Sequence, residues 1–180
     1  YLLIDLDPSE GNPWELVREV TVVVKAVMDE LGLASYPKTS GATGMHILAP
    51  IRPELAFPEV RRFAKALAEE VERRVGDQEV ATTTWRVADR RGVFVDFGQN
   101  ARDRTIASAY SVRPTPDARV SAPLAWDELD DRLEVTSLPA DAVALLDAMW
   151  VERALLHMLD NAAIHGRCST AVKLSAAHVP

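Results

Sequence analysis

The sequence has one cysteine, Cys168, in 180 residues. A single thiol excludes an intrachain disulfide and a structural zinc site of several thiolates. No apolar run approaches the length that spans a bilayer, so no membrane partner is expected. No secretory leader, internal repeat, heptad pattern or low-complexity tract is visible. Positive charge is in deficit: 20 Lys and Arg against 27 Asp and Glu give a net charge of -7. That balance argues against broad nonspecific attraction to nucleic acid, although a local basic groove remains compatible with it. The length suits one well-packed core rather than two ordinary domains. An initiating Met is also missing: the chain opens at Tyr1 inside what reads as a core strand, so upstream sequence is expected.

What is present begins with Tyr1-Leu2-Leu3-Ile4-Asp5-Leu6-Asp7-Pro8. A short apolar run closed by proline fits a buried strand better than a helix. Strand side chains alternate, so Asp5 and Asp7 share one face while Leu6 enters the core. Neighbouring carboxylates repel, and a divalent cation such as Mg²⁺ or Mn²⁺ would offset the cost of holding them together. The same residues also fit a plain acidic turn at a strand end, with Asp7 capping the next segment.

Downstream, Asn12 is placed to cap a helix that starts at Pro13 and stops at Gly32. Trp14, Val17, Val20, Val24, Val27, Met28 and Leu31 recur in it at helical spacing. A short strand over 33–38, the loop 39–44 and a strand over 45–50 come next. A second helix opens at Pro58 and ends at Gly76, with Val60, Phe63, Ala64, Leu67, Ala68, Val71 and Val75 as its buried stripe. Residues 80–84 fit a strand, 85–91 a locally positive connector, and 93–97 a central strand with Asp96 on the Phe94 face. Residues 106–112 fit either an extended segment or a short helix. Pro123 opens a short helix over 126–129, and a long helix is predicted over 140–163. This order predicts an α/β (α+β) fold: a two-layer mixed sheet with helices on one face and a split βαβ core rather than a barrel.

On two neighbouring strands, Asp5, Asp7 and Asp96 would supply three carboxylates, enough to hold two divalent ions about 4 Å apart for phosphoryl or nucleotidyl transfer. The loop Ser40-Gly41-Ala42-Thr43-Gly44 offers hydroxyls and N–H groups that suit phosphate oxygens. With no Lys after Gly44 it is not a Walker A loop. Lys38 precedes it and His46, a common acid, base or ligand, comes after it. Arg113 is suited to clamp a phosphate in bidentate fashion. Each part has a plainer reading: paired carboxylates are common, a glycine loop is often only a turn, and a lone His is often structural.

The assembled strings Asp5-Leu6-Asp7-Pro8, residues 38–46, residues 94–105 and residues 109–114 closely resemble the LigD-type polymerase domain. That family sits in the archaeo-eukaryotic primase superfamily and includes the polymerase module of bacterial non-homologous end-joining ligases. The resemblance runs from Tyr1 to about Leu129. It implies a primase-like fold with an RRM-like core, residues 1–139 as the catalytic core and 140–180 as a C-terminal helical extension. It implies that Asp5, Asp7 and Asp96 bind Mn²⁺ or Mg²⁺ in a two-metal site. Ser40, His46 and Arg113 would contact the triphosphate of an incoming nucleotide, with Lys38, Gly41, Thr43 and Gly44 in the same nucleotide-binding segment. Asn100 and Thr105 match the loop after the third aspartate, with structural or substrate-positioning roles, and Arg90 would be a further phosphate contact. The implied activity is template-directed addition of an NTP or dNTP, often a ribonucleotide, to a primer during gap filling and break repair. Implied partners are primer–template or broken-end DNA, an ATP-dependent DNA ligase and a Ku-type end-binding protein, in the cytoplasm and at the nucleoid during repair.

Three departures bear on that activity. Many members carry Lys where this chain has Thr43. Members also carry a segment ahead of the Asp-x-Asp strand that helps to bind base, sugar and template; a chain starting at Tyr1 is expected to have weak or no polymerase activity. Residues 140–180 carry no motif recognised from the family, and their helix is expected to cover apolar surface or form an oligomer contact. Two other readings stand beside the polymerase. One is a catalytically weak or inactive module that binds nucleic acid or a repair partner, using Arg86, Arg90, Arg91, Arg102, Arg104 and Arg113 as a basic groove. The other is a haloacid-dehalogenase-like phosphatase with Asp5 as nucleophile, favoured by Ser9 and opposed by the lack of a convincing later Asp-Asp metal motif following a lysine.

Overall fold

The computed structural model describes residues 1–116 and 119–129. The predicted helix over 140–163 and the whole extension 140–180 lie outside the described residues. In chain order the elements are β1 (Leu2–Pro8), α1 (Trp14–Glu30), β2 (Tyr36–Thr39), β3 (Met45–Ala49), α2 (Phe57–Val75), β4 (Ala81–Thr82) and β5 (Val93–Asp96). The strands form one sheet in the order β2-β3-β1-β5-β4. β1 runs antiparallel to both β3 and β5, β2 antiparallel to β3, and β4 parallel to β5. Thus β3 lies between β1 and β2, and β1 lies between β3 and β5. The result is two interleaved split βαβ units, the arrangement the element order predicts.

One face of this sheet is the core. Leu2, Ile4 and Leu6 of β1, Met45 and Ile47 of β3, and Val93 and Val95 of β5 pack with Val17, Val20, Val24 and Met28 of α1 and Ala64, Leu67 and Val71 of α2. Burying such an aliphatic side chain contributes about 2 kcal/mol. The β-branched run in α1 is therefore held by packing against the sheet more than by helix propensity. Period-two alternation sends the remaining side chains, Leu3, Asp5 and Asp7 of β1 among them, to the other face.

Several local expectations shift. Asn12 does not cap α1; the N-cap is Pro13, with no side-chain cap bond. Instead Asn12 Nδ2 donates to the carbonyls of Ser9 and Gly92, both at 3.1 Å. One amide thus satisfies two turn carbonyls and ties the β1–α1 turn to the residue before β5. The strand predicted over 33–38 starts only at Tyr36. Residues 31–33 are taken up in ending α1: Gly32 is left-handed at φ +68, and Leu33 N–H donates to Met28 O. Phe63 is 44% exposed and falls at the margin of the α2 stripe rather than within it. The strand over 80–84 contracts to Ala81–Thr82 because Glu72 and Thr82 side chains take the N–H groups of Thr83 and Thr84. Residues 106–112 are neither strand nor helix; Val112 alone bridges to Val120. The short helix at Trp126–Glu128 is a single 3₁₀ turn.

Candidate active site

The open face of the sheet carries a row of polar residues across four strands. The register pairs Lys38 with His46, His46 with Asp5, and Asp5 with Asp96. Asp7, two residues along β1, projects from the same face. The ligand oxygens of Asp5, Asp7 and Asp96 lie within 4.8 Å of one another. His46 Nε2 stands 3.3 Å from Asp5 Oδ1, close enough for an ion pair but not aligned as a hydrogen bond, so that buried oxygen accepts none among the described residues. An orphaned carboxylate oxygen in a cluster of three acids suits a divalent cation, which prefers oxygen ligands and neutralises their repulsion.

The electrostatics agree. Asp7 has its pKa raised to about 6, by desolvation first and then by the charges of Asp5 and Asp96. Because its side chain is exposed, repulsion from two neighbouring carboxylates is the sounder of these causes. The Asp96 carboxyl is also pushed up by burial, against the Gly98 N–H that donates to its Oδ1. Gly98 is glycine for a reason of space: a Cβ there would sit 2.8 Å from Asp96 Oδ1 and 3.1 Å from the Trp85 ring.

Beside the acids lies the 40–44 loop. Ser40 Oγ accepts the N–H groups of Ala42 at 3.1 Å and Gly44 at 3.0 Å, while its own proton remains available to a ligand. Gly41 is left-handed, φ +74, and a Cβ on it would meet Arg113 Cγ at 2.6 Å. The loop thus presses on the stem of Arg113. Arg113 belongs to a pair of extended segments, joined where its N–H meets Arg119 O and where Ser121 N–H meets Ser111 O. The second segment continues along the edge of β2, through Thr39 N–H to Ala122 O and Leu124 N–H to Pro37 O. Lys38 Nζ donates to Ser121 Oγ at 2.6 Å, and Ser121 Oγ donates to Thr39 O at 2.8 Å. Burial lowers the Lys38 pKa to about 8 although Asp5 opposes the shift. A cleft of about 380 Å³ is lined by Asp5, Asp7, Ser40, Ala42, His46, Gln99, Thr105, Ile106, Ala107 and Arg113.

The structure therefore gathers Asp5, Asp7, Ser40, His46, Thr105 and Arg113 around one cleft and sets Asp96 against its acids. Other expected ligand residues are engaged elsewhere. Asn100 is buried, accepting Leu3 N–H at 2.9 Å and donating to Leu3 O at 2.7 Å. Its amide takes the place of a strand neighbour beyond the end of β5, so it positions β1. Arg90 lies over the Phe94 ring, 3.5 Å from its centroid, and donates to the carbonyls of Thr84 and Trp85. From there its charge lowers the pKa values of Asp7 and Asp96. Lys38 braces the Arg113 segment from below, Thr43 is exposed, and Gly41 and Gly44 act through close packing. Sequence reasoning missed Ser121, Gly98 and Arg119, whose Nη1 donates to Ala42 O at 2.9 Å. Their roles depend on contacts across about eighty residues of chain or on missing side-chain volume, and no local pattern marks either.

Asn100→Ala would leave a buried N–H and a buried carbonyl of Leu3 unpaired. It is expected to lower stability by about 2–4 kcal/mol in urea unfolding, and a loss under about 0.5 kcal/mol would count against the bracing role.

Residues 1–149 match the family described as LigD, primase-polymerase domain. The chain belongs to that family. Among LigD relatives, the multifunctional non-homologous end joining protein LigD of Pseudomonas aeruginosa is 37% identical over 129 residues, 71% of this chain and 15% of that protein. The LigD of Mycobacterium tuberculosis is 34% identical over 131 residues, 72% of this chain and 17% of that protein. The bifunctional LigD of Bacillus subtilis is 31% identical over 144 residues, 79% of this chain and 23% of that protein. A solved polymerase domain of M. tuberculosis ligase D, in complex with DNA, matches with a TM-score of 0.72 at 33% identity. That match covers 82% of this chain and 51% of that chain. The chain thus spans under a quarter of these curated LigD relatives. Membership of the LigD primase-polymerase family sets aside the phosphatase reading.

Proposed function

We propose that this chain performs metal-dependent nucleotidyl transfer, adding an NTP or dNTP to a primer terminus on broken-end DNA. The observation that carries the reading is the meeting of Asp5, Asp7 and Asp96 from two adjacent strands beside a cleft bearing Ser40, His46 and Arg113. Asp5, Asp7 and Asp96 would hold Mn²⁺ or Mg²⁺. Such ions supply charge that stabilises the attacking and leaving oxygens of an in-line displacement. The side chains do the positioning. The Ser40 hydroxyl, the Arg113 guanidinium and the His46 imidazole converge where a triphosphate would lie, and hold its α-phosphate against the acids. Arg90 and Arg104 offset part of the negative charge of Asp96 from the β5 side. Primer–template DNA, an ATP-dependent ligase, a Ku-type end-binding protein and a cytoplasmic location complete the reading. It is compatible with the described residues, in which no helix is long and apolar enough to cross a membrane.

Primer extension with Mn²⁺ and each nucleotide class tests it. Extension is expected; none, with protein in excess over primer, overturns the enzyme in favour of a nucleic-acid-binding module. The titration of Asp7 gives a second test. Its raised pKa means that its contribution to the stability of the metal-free protein is fully present below about 3.8, the ordinary value, and lost as pH rises through about 6. A cation offsets that loss only where Asp7 is ionised. Mn²⁺ is therefore expected to raise the melting temperature more at pH 7.5 than at pH 5, and equal shifts at both would contradict the site.

A further inference from the structure

The connector between β4 and β5 carries an aromatic side chain that the nucleotide cleft does not use. Trp85 is 55% exposed, with Val87 beside it at 76%. Yet Trp85 is firmly held. Its ring packs edge-on against Phe94 at 6.2 Å between centroids. Its carbonyl is bonded by Arg90 Nη2 at 3.1 Å, and Gly98 leaves its ring just enough room. A large aromatic surface fixed in place while open to solvent binds a flat partner with little loss of side-chain freedom.

Position and charge indicate the partner. Phe94 is paired across the sheet with Asp7, and Gly98 lies just beyond Asp96, so Trp85 flanks the acid cluster. The phosphate-facing residues Ser40 and Arg113 lie toward β2 and β3, at the other side of the acids. In-line displacement brings the attacking hydroxyl from the side opposite the leaving group. The β5 side is therefore the approach for the strand that is extended. Exposed Arg86 and Arg91 share the Trp85 connector, and Arg104 on the next loop acts electrostatically on Asp96. Cations interleaved with an aromatic suit a polyanion with stacking bases.

We infer that Trp85 is the stacking platform for the terminal base of the primer strand whose 3′-hydroxyl faces the acids. The inference rests on the nucleotidyl-transfer reading for its direction, and its test does not need catalysis. Binding of a fluorescently labelled recessed primer–template is read by anisotropy without nucleotide, for wild type, Trp85→Ala, Trp85→Leu and Trp85→Phe. The first two are expected to weaken binding about tenfold, and Trp85→Phe, which keeps a π-face, to stay within about twofold. Leu retains apolar bulk, so it keeps the test valid if the Ala protein folds poorly. In primer extension the same two variants should raise the KM for primer–template and leave the nucleotide KM unchanged. Wild-type binding by Trp85→Leu overturns the inference. So does loss by Trp85→Phe equal to that of Trp85→Leu, which marks a packing role, or a rise confined to the nucleotide KM, which places the incoming base there instead. If wild type binds DNA without extending it, the catalytic reading fails while the anisotropy comparison still decides Trp85.

Discussion

Asp96→Asn is expected to lower single-turnover primer extension about a thousandfold while leaving the melting temperature of the metal-free protein unchanged or higher. The two effects differ because the charge of Asp96 is costly to the fold and, in the proposed function, serves the metal site. Asp96 is buried, and its carboxyl is pushed up first by desolvation and further by Asp5. An amide removes that charge and keeps an oxygen to accept the Gly98 N–H. What it cannot keep is the third negative charge opposite Asp5 and near Asp7. Stopped-quench kinetics with thermal melting checks both halves. Activity within about tenfold of wild type would remove Asp96 from the catalytic set, and a large fall in melting temperature would show that its charge is structural.

Gly44→Ala is expected to destabilise the protein by about 3–5 kcal/mol, the largest stability effect among these variants. A Cβ on Gly44 would stand 1.9 Å from Leu6 O and 3.1 Å from the Leu6 carbonyl carbon. A backbone carbonyl cannot swing aside as the tip of a side chain can. Leu6 lies in mid-strand between Asp5 and Asp7, paired to Met45 on one side and Val95 on the other. Relieving the clash therefore displaces both carboxylates, so the proposed primer extension should fall with stability. Gly11→Ala is the control. A Cβ there meets nothing within 4 Å, and only the left-handed backbone at φ +85 opposes it, at a cost of about 1 kcal/mol. Equal urea midpoints for the two variants would show that the loop yields more easily than its packing implies.

Much of this site is legible in the sequence where function rests on alternation or on turn chemistry. Asp5 and Asp7 share a face because they are two residues apart on a strand, and Leu6 between them belongs to the core. Asp96 lies on the Phe94 side of β5 for the same reason. The Ser40–Gly44 segment forms the expected loop, and the order of strands and helices folds as two split units. The departures share one cause. Residue type makes Asn12 a cap, and the family resemblance makes Asn100 structural or substrate-positioning and Arg90 a phosphate contact; the structure shows each bonded to distant or non-helical backbone. A polar side chain has several possible partners, and the chosen one depends on which carbonyls the fold leaves unpaired.

Pattern and spacing along the chain were enough to determine the class of fold and the face that carries the acids, while the family came from the resemblance of its motif strings to the LigD-type polymerase domain. These rest on periods of two and 3.6 residues and on short local motifs, which need no knowledge of long-range contacts. Only the tertiary structure decided that Lys38, His46, Asp5 and Asp96 align in one row. It alone set Ser121 and Arg119 against the 40–44 loop and left Trp85 fixed but uncovered. The physical reason is register: which residues oppose one another across a sheet is chosen by the packing of the whole core, and no strand carries that information by itself.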